Sequence, residues 1–369
     1  MYPSLKIDQN RIREKINILI IEDSLIYRKI LKDIVKLIPN AEVIEIASSG
    51  ERGMVSIKKN RRINLVFIDL IMPGMDGLEI LKQIKEHRPD LPVVMISGAD
   101  CREGEITIKA LKAGALDFIA KPNSDDIRKN IRSLQRSIER IIQVYRESKR
   151  PTDFTNTKII TKSTVTTSTK VFDCIAIGIS TGGPKALAEI IPKLEPTLPV
   201  PVFLVQHMPP DFTGSLANYL NDRSAIHIKE AEDGEIAKAG TVYVAPGDNL
   251  MTLSQSDNDN QNKIVITKKT RRDKAQTIDI LLNSLSERIE NNVLVCILTG
   301  MGTDGTEGLR SLKDHRKVYA IAQDQKTCTI FGMPKSIIDQ KLADIVLPLN
   351  KIPLKIKRII DQAIKNRNE

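Results

Sequence analysis

Short apolar runs alternate with amphipathic stretches along the first 146 residues. Five runs have the length and apolar character of buried strands, at 16–21, 42–47, 65–68, 92–96 and 117–120. Helical periodicity follows the first two runs, at 24–37 and near 50–59, and Pro73-Gly74 forces a loop after the third. This regular alternation predicts an α/β domain with a doubly wound, mostly parallel sheet and helices on both faces.

The second half repeats the pattern from residue 172 onward. Strand-like runs lie at 174–179, 200–205, 293–298 and 318–322, and helical patterns at 185–191, 277–289 and 352–364. Between the second and third runs the chain is rich in strand formers and turns, with its clearest turn at 243–247. We therefore expect a second three-layer α/β domain with a mostly parallel sheet and a small β-rich insertion.

Composition separates the two halves. Residues 147–171 are rich in threonine, serine and lysine and poor in aliphatic side chains, so they cannot bury enough surface to offset the entropy of ordering. We expect domains at 15–146 and 172–366, joined by a flexible linker at 147–171. A chain of 369 residues that is 41% hydrophobic and 28% charged can supply two such cores.

The net charge of +10 raises the question of a nucleic-acid partner. Residues 123–170 hold eleven Lys or Arg against five Asp or Glu, so more than half of the excess falls outside the apolar strand runs. Zinc-finger spacing and a DNA-reading helix are missing from the sequence, which favours a solvated basic segment and no nucleic-acid partner. We also expect no membrane insertion and a cytoplasmic location, because no apolar run approaches about 20 residues and the four cysteines are scattered.

Polar side chains mark the ends of the strands predicted in the first half. These are Glu22, Asp23, Asp69, Ser97 and Lys121. In an open α/β sheet the carboxyl ends of the strands line one crevice, so we expect the five side chains to converge there. Three carboxylates in one place repel each other unless a divalent cation lies among them, and oxygen ligands favour Mg²⁺. The lysine and the hydroxyl then suit a phosphoryl group on one of the carboxylates.

A serine, a histidine and an aspartate mark the corresponding ends in the second half. Ser180 lies between Gly178 and Gly182 where strand turns into helix, His207 follows the run at 200–205, and Asp304 lies in the loop after 293–298. Together they are the parts needed for acyl transfer. Their order along the chain differs from the Ser, Asp, His order of α/β-hydrolases. The alternative interpretation of the glycines is a turn that packs strand against helix or cradles a phosphate.

The first half resembles the receiver domain of two-component response regulators, which has a flavodoxin-like fold. The motifs that carry the resemblance are IED at 21–23, IDLIMPGMDG at 68–77, MISG at 95–98 and ALDFIAKP at 115–122. The resemblance implies that Asp69 accepts a phosphoryl group from a chemotaxis sensor histidine kinase. It also implies that Glu22, Asp23 and Asp69 bind Mg²⁺, with Ser97, Phe118 and Lys121 as switch residues.

The second half resembles the Rossmann-like catalytic domain of chemotaxis protein-glutamate methylesterases, and receiver, linker and catalytic domain follow that family's order. The motifs are GISTGGP at 178–184, QHMPPDFT at 206–213, VYVAPG at 242–247, LTGMGTDG at 298–305 and FGMP at 331–334. By this resemblance Ser180 is the nucleophile, His207 the general base and Asp304 its orienting acid. The backbone N–H of Met301 helps to stabilise the oxyanion, with Thr181 beside the site, and the esterase chemistry needs no cofactor.

The resemblance implies a function in sensory adaptation. We expect hydrolysis of glutamyl methyl esters on methyl-accepting chemotaxis receptors, together with deamidation of their glutamines, under inhibition by the receiver until Asp69 is phosphorylated. Asn249 stands where family members often have histidine, and Gln276-Thr277 replaces a usual Pro-Ser, so substrate preference is left open. The alternatives are a non-enzymatic regulator whose second domain only binds a partner, and a basic DNA-binding regulator.

Overall fold

We analysed a computed structural model of the chain. The structure describes residues 15–98, 101–122, 125–149, 172–255, 261–270, 276–289, 291–315 and 317–368. Its contacts divide into two compact units, Met1–Tyr145 and Arg146–Glu369. The domain limits predicted from the sequence remain a prediction, and residues 150–171 of the predicted linker lie outside the described residues.

The described residues of the first unit form five strands and five helices. The strands are β1 (Ile16–Ile21), β2 (Ala41–Ala47), β3 (Leu65–Asp69), β4 (Val93–Ser97) and β5 (Asp117–Ala120). The helices are α1 (Leu25–Lys36), α2 (Gly50–Lys59), α3 (Gly77–His87), α4 (Cys101–Lys112) and α5 (Ile127–Ser148). The strands pair in parallel in the order β2-β1-β3-β4-β5, as the alternating pattern predicts.

Local capping sets where the helices of this unit begin. The side chains of Ser24, Ser49 and Asp76 accept hydrogen bonds from backbone N–H groups in the first turns of α1, α2 and α3. Each satisfies a donor that has no partner within its helix. The apolar stripes of α1 and α5 then pack against β1, β3 and β4 in one core. This arrangement leaves the carboxyl ends of the strands and the loops after them available for polar groups.

The second unit has nine strands and six α-helices in its described residues. The strands are β6 (Phe172–Ile179), β7 (Val202–Gln206), β8 (His227–Glu230), β9 (Thr241–Val244), β10 (Asn249–Gln255), β11 (Asn262–Lys268), β12 (Asn292–Ile297), β13 (Lys317–Gln323) and β14 (Ile345–Leu347). The helices are α6 (Gly183–Ile190), α7 (Pro210–Asn221), α8 (Thr277–Arg288), α9 (Thr306–His315), α10 (Met333–Asp339) and α11 (Ile352–Asn368).

Seven of these strands form one sheet in the order β14-β13-β12-β6-β7-β9-β8, and every neighbouring pair is parallel. The predicted fold class is therefore confirmed in both units. Of the predicted β-rich insertion, β8 and β9 extend the main sheet, whereas β10 and β11 form a separate antiparallel ribbon. The sequence pattern did not predict β14, because three residues are too few to show a strand period.

The middle of this sheet positions the candidate site. Strands β12, β6 and β7 are neighbours, with Ile297 opposite Gly178 and Gly178 opposite Val205. Their carboxyl ends lie side by side, since parallel strands end at the same edge. Apolar residues of these strands and of α8 fill one core beneath that edge. Among the described residues, no helix is both long and apolar enough to cross a membrane.

Candidate functional sites

The acidic cluster of the first unit lies where two neighbouring strands end. Glu22 and Asp23 directly follow β1, Asp69 ends β3, and Ile21 is paired with Ile68 between them. One carboxylate oxygen from each acid lies within 4.8 Å of the others. Glu22 and Asp69 are buried and Asp23 is exposed, so the cluster opens to solvent on one side. The structure thus brings together the three predicted metal ligands.

Lys121 joins this cluster from the end of β5. Its Nζ lies 2.8 Å from Asp69 Oδ2 and 3.2 Å from Glu22 Oε2. Burial and the charge of Asp69 raise the pKa of Glu22 to about 7, against the opposing effect of Lys121. Burial also raises the pKa of Asp69 above its usual value. Burial disfavours the ammonium of Lys121, but its contacts with Asp69 and Glu22 raise its pKa overall.

The donor set suits a hard divalent cation. All three candidate ligands are carboxylates, which Mg²⁺ prefers. Glu22 Oε2 and Asp69 Oδ2 are both paired with the ammonium of Lys121. Three carboxylates around this ammonium leave an excess of negative charge in a largely buried cluster, and a divalent cation among the three acids offsets it. The residues present therefore fit the metal that a receiver domain implies.

The remaining switch candidates lie on β4 and β5. Ser97 is fully buried, and its hydroxyl accepts a hydrogen bond from Thr107 Oγ1 at 2.8 Å and donates to the Gly98 carbonyl at 3.1 Å. The Lys121 N–H donates to the Ser97 carbonyl at 2.6 Å, which fixes the ends of β4 and β5 to each other. Phe118 is also buried. Thr107, on α4, was not singled out in the sequence, because a lone helix threonine carries no signal of its partner.

Three side chains in the second unit form a hydrogen-bonded row. Ser180 follows β6, His207 follows β7 and Asp304 lies in the loop between β12 and α9. His207 Nδ1 lies 3.2 Å from Ser180 Oγ, and His207 Nε2 lies 2.7 Å from Asp304 Oδ2. With its proton on Nε2, the imidazole presents the Nδ1 lone pair to the serine hydroxyl. In this arrangement His207 can accept the serine proton on Nδ1. In the chymotrypsin-type triad, by contrast, Nε2 faces the serine and Nδ1 faces the aspartate.

Backbone contacts hold Ser180 at the turn. The Ser180 N–H donates to the Thr299 carbonyl at 3.0 Å, and its own carbonyl accepts from Gly183 N–H at 2.8 Å. Gln206 Nε2 donates to the carbonyls of Ser180 and His207, both at 3.0 Å. A Cβ on Gly183 would lie 1.7 Å from Gln206 Oε1, so a larger residue where α6 begins must displace the Gln206 side chain. Gln206 thus connects the turns that carry the serine and the histidine.

Asp304 receives four hydrogen bonds. Its Oδ2 accepts from Ile278 N–H at 3.1 Å and faces His207 Nε2, and its Oδ1 accepts from Asp279 N–H at 3.0 Å and Gly305 N–H at 2.9 Å. Ile278 and Asp279 belong to the first turn of α8, whose N–H groups have no partner within the helix. The positive end of that helix therefore holds the carboxylate in one orientation.

Sequence reasoning missed Gln206, Thr299 and Asp279. Gln206 is part of a quoted motif but no role was assigned to it. Thr299 Oγ1 donates to the Thr181 carbonyl at 2.9 Å and accepts from Ile330 N–H at 3.0 Å, joining segments over 100 residues apart. Asp279 lies beside Asp304, and only its place in a helix's first turn was visible in the sequence. None of these partnerships has a local sequence signal.

The other predicted site residues lie around the serine. Met301 directly follows Gly300, whose Cα packs against Ser180. Thr181 is buried, and its Oγ1 has no hydrogen-bond partner among the described residues. Asn249 Nδ2 donates to the Gly247 carbonyl at 2.9 Å. Thr277 begins α8 and directly precedes the N–H groups that bind Asp304. Gln276-Thr277, which replaces the usual Pro-Ser of the family, therefore lies next to the hydrogen-bonded Ser180, His207 and Asp304 but is not one of them.

Comparison with known proteins identifies the same two parts. A model described as response regulator receiver domain matches residues 18–132, and one described as CheB methylesterase matches residues 175–356. The protein-glutamate methylesterase/protein-glutamine glutaminase of Desulfotalea psychrophila is 37% identical over 361 residues, covering 93% of this chain and 98% of the relative. The protein of that name from Pyrococcus abyssi is 38% identical over 354 residues, covering 94% of each chain.

Two solved structures from Thermotoga maritima are similar to parts of this chain. The CheB methylesterase catalytic domain is 41% identical and covers 52% of this chain and 98% of that structure, with a TM-score of 0.47. The response regulator domain of CheB is 30% identical and covers 36% of this chain and 97% of that structure, with a TM-score of 0.32.

The resemblance stated from the sequence motifs is thereby confirmed. Relatives more than 30% identical extend over nearly the whole chain and over nearly all of their own length. The two matched regions follow each other in the order expected from the motifs. On this ground the chain belongs to the family of protein-glutamate methylesterases/protein-glutamine glutaminases.

Proposed function

We propose that this protein hydrolyses glutamyl methyl esters, and deamidates glutamines, on methyl-accepting chemotaxis receptors, and that phosphorylation of Asp69 activates it. The names of the relatives state the two activities, and the receiver match supports the control by phosphorylation. The observation that carries the proposal is the row of hydrogen bonds from Ser180 through His207 to Asp304.

Ser180 acts as the nucleophile and His207 as the base. Ser180 Oγ attacks the ester carbonyl carbon, and its proton moves to His207 Nδ1, 3.2 Å away. The bond to the methoxy group then breaks, and methanol leaves with the proton from His207. Water next attacks the acyl-enzyme, again giving a proton to His207, and the glutamate and the free serine result. With glutamine as substrate, ammonia replaces methanol as the leaving group.

Asp304 keeps the imidazole in the productive tautomer. Its Oδ2 accepts the Nε2 proton of His207, and the N–H groups of Ile278, Asp279 and Gly305 hold the carboxylate in place. The imidazolium that forms during attack is stabilised by this carboxylate.

Two groups suit the negative charge that develops on the carbonyl oxygen. The backbone N–H of Met301 follows the Gly300 segment that packs against Ser180. The hydroxyl of Thr181 is buried beside the nucleophile and has no partner among the described residues. We assign Met301 to the oxyanion site and Thr181 to its border. Each donor of this kind contributes about 3 kcal/mol to transition-state stabilisation.

The receiver unit supplies the control. Asp69 accepts the phosphoryl group from a phosphohistidine of a sensor histidine kinase, and Lys121 Nζ, 2.8 Å from Asp69 Oδ2, pairs with the added charge. Glu22, Asp23 and Asp69 would hold Mg²⁺, whose charge offsets that of the phosphoryl group when bound. Ser97 is the switch hydroxyl and Phe118 the switch aromatic. We further propose a cytoplasmic location, as the scattered positions of the four cysteines in the sequence favour.

Methanol release from methylated receptor membranes tests both parts. The full chain is assayed with and without a small phosphoryl donor plus Mg²⁺, beside the Ser180→Ala and Asp69→Asn variants. We expect methanol release by the wild type to increase when the phosphoryl donor is added. Release should be absent in Ser180→Ala, and in Asp69→Asn it should be the same with and without the donor. Release that ignores the donor in the wild type would overturn the control by the receiver. A complete lack of release would leave the second unit as a binding module.

A further inference from the structure

A second buried carboxylate lies behind Asp304. Asp279 is 6% exposed, and its backbone N–H donates to Asp304 Oδ1 at 3.0 Å. Its own Oδ1 accepts from Gly308 N–H at 2.7 Å. The two side chains also contact each other. The acid that orients His207 is thus one member of a carboxyl pair.

The pair is held between the N-termini of two helices. N–H groups in the first turn of α8 bind Asp304, which precedes α9, while an N–H in the first turn of α9 binds Asp279 of α8. A Cβ on Gly308 would lie 2.6 Å from the Asp279 carbonyl oxygen and 2.7 Å from its Cα. The helices therefore touch at this point, beside the carboxyl pair.

The surroundings of Asp279 favour its protonated form. Burial, together with the negative charge of Asp304, raises its pKa to about 6, against the Gly308 hydrogen bond, which favours the ionised form. The charged group that acts on Asp279 is Asp304, and α9 and the loop before it contribute the neutral N–H groups of Gly308 and Gly305. Hydrogen bonds between α8 and β10 involve the neutral hydroxyl of Ser284 and, at the far end of the helix, the guanidinium of Arg288.

We propose that Asp279 is a positioning residue of the triad, which strengthens His207 as a base when ionised and weakens it when protonated. The inference rests on the proposed function of the Ser180 site. Ionised Asp279 adds a second negative charge behind Asp304, which stabilises the imidazolium formed during attack. Protonated Asp279 donates a hydrogen bond to Asp304. This bond reduces the negative charge that the Asp304 carboxylate presents to His207.

The Asp279→Asn variant imitates the protonated form at every pH. The full chain and the variant are compared in kcat/KM for demethylation between pH 5 and pH 8, with Ser180→Ala as the blank. We expect the ratio of wild type to variant to rise from within about twofold at pH 5 to about tenfold at pH 8, half-complete near pH 6.

Two further variants separate positioning from folding. Asp279→Ser removes the charge and keeps a hydroxyl, so it should give the same pH-dependent ratio. Asp344→Asn changes a partly buried carboxylate that accepts Ala320 N–H at 2.7 Å and pairs with Lys313, away from the triad, and should give a ratio near one throughout. Rates are expressed per active site, counted by reaction with an alkyl fluorophosphonate, so that a misfolded fraction does not enter the comparison.

The fluorophosphonate also gives a readout without receptor. Ser180 Oγ forms a bond to phosphorus as fluoride leaves, and the serine proton goes to His207, so the labelling rate reports the strength of the base. If labelling shows the pH-dependent ratio while methanol release is missing, the role of Asp279 stands and the proposed substrate fails. A ratio that is constant with pH, in both assays, would show that Asp279 only supports the fold and would overturn the inference.

Discussion

The Asp304→Asn variant tests the central hydrogen bonds of the esterase site. Both carboxylate oxygens of Asp304 accept two donors each, namely Ile278 N–H and His207 on Oδ2, and Asp279 N–H and Gly305 N–H on Oδ1. An amide has one oxygen and one NH₂ group. Whichever way the amide is turned, two donors face an NH₂ group instead of an oxygen.

The size of the effect follows from this count. Each buried donor left without an acceptor costs about 1–2 kcal/mol, so the variant should lose about 2–4 kcal/mol of unfolding free energy. For a unit of this size, the loss lowers Tm by about 5–15 °C. If the NH₂ group faces His207, the imidazole turns to the unproductive tautomer, and kcat should fall about 10⁴-fold, as this substitution does in other Ser-His-Asp hydrolases. If it faces Asp279, the stability loss is similar and the loss of activity is smaller.

The assay combines methanol release with thermal unfolding of the full chain. Asp233→Asn is the control, because Asp233 Oδ1 accepts Ile266 N–H at 2.8 Å on the surface, in the loop after β8. It should change Tm and kcat only slightly. Because an amide oxygen turned toward His207 could still orient it, Asp304→Ala is measured as well, since alanine offers no acceptor. Activity of Asp304→Ala within tenfold of wild type would refute the claim that Asp304 orients His207. An unchanged Tm would refute the claim that its other donors are satisfied by this carboxylate.

Three further outcomes follow from the same contacts. Gly183→Ala should lower activity at least about tenfold in the methanol assay, because its Cβ would displace Gln206. Gly214→Ala in α7 is the control and should keep its activity, because its Cβ would lie 3.4 Å from Glu230. Equal activities of the two variants would contradict the packing of Gly183 against Gln206. Asp279 has a folded-state pKa of about 6, above its usual value, so it contributes stability at low pH that is lost as pH rises toward 6. In urea unfolding, the wild type should therefore lose about 2 kcal/mol relative to Asp279→Asn between pH 4 and pH 7, and a constant difference would argue against the raised pKa. Glu22→Gln should weaken Mg²⁺ binding at least about tenfold by titration calorimetry, and unchanged affinity would remove Glu22 from the ligands.

The main chemistry could be predicted from the sequence because it depends on where strands end. Ser180, His207 and Asp304 each follow an apolar run, and parallel neighbours bring such positions to one edge. The same reasoning placed Asp69 and Lys121 beside each other in the first unit. These positions can be found without knowing the contacts between distant segments.

The support around these residues could not be predicted in the same way. Two of the donors to Asp304 lie 25 and 26 residues earlier in the chain, at the start of a helix whose direction depends on the completed core. The assignment of β8 and β9 to the main sheet likewise depends on pairing with β7, which short strand patterns do not specify. Propensity describes each segment alone, whereas these contacts depend on tertiary packing.

The central position of β6 also has a consequence for synthesis. Its two neighbours in the sheet are β7, which follows within 30 residues, and β12, which begins more than 110 residues later. A chain leaving the ribosome therefore exposes the serine and the histidine well before the aspartate that completes the row. At about 5–20 residues per second the interval between His207 and Asp304 lasts about 5–20 s. During that time the nascent protein lacks the acid of its triad, and an incomplete translation product that ends before β12 is without a working esterase.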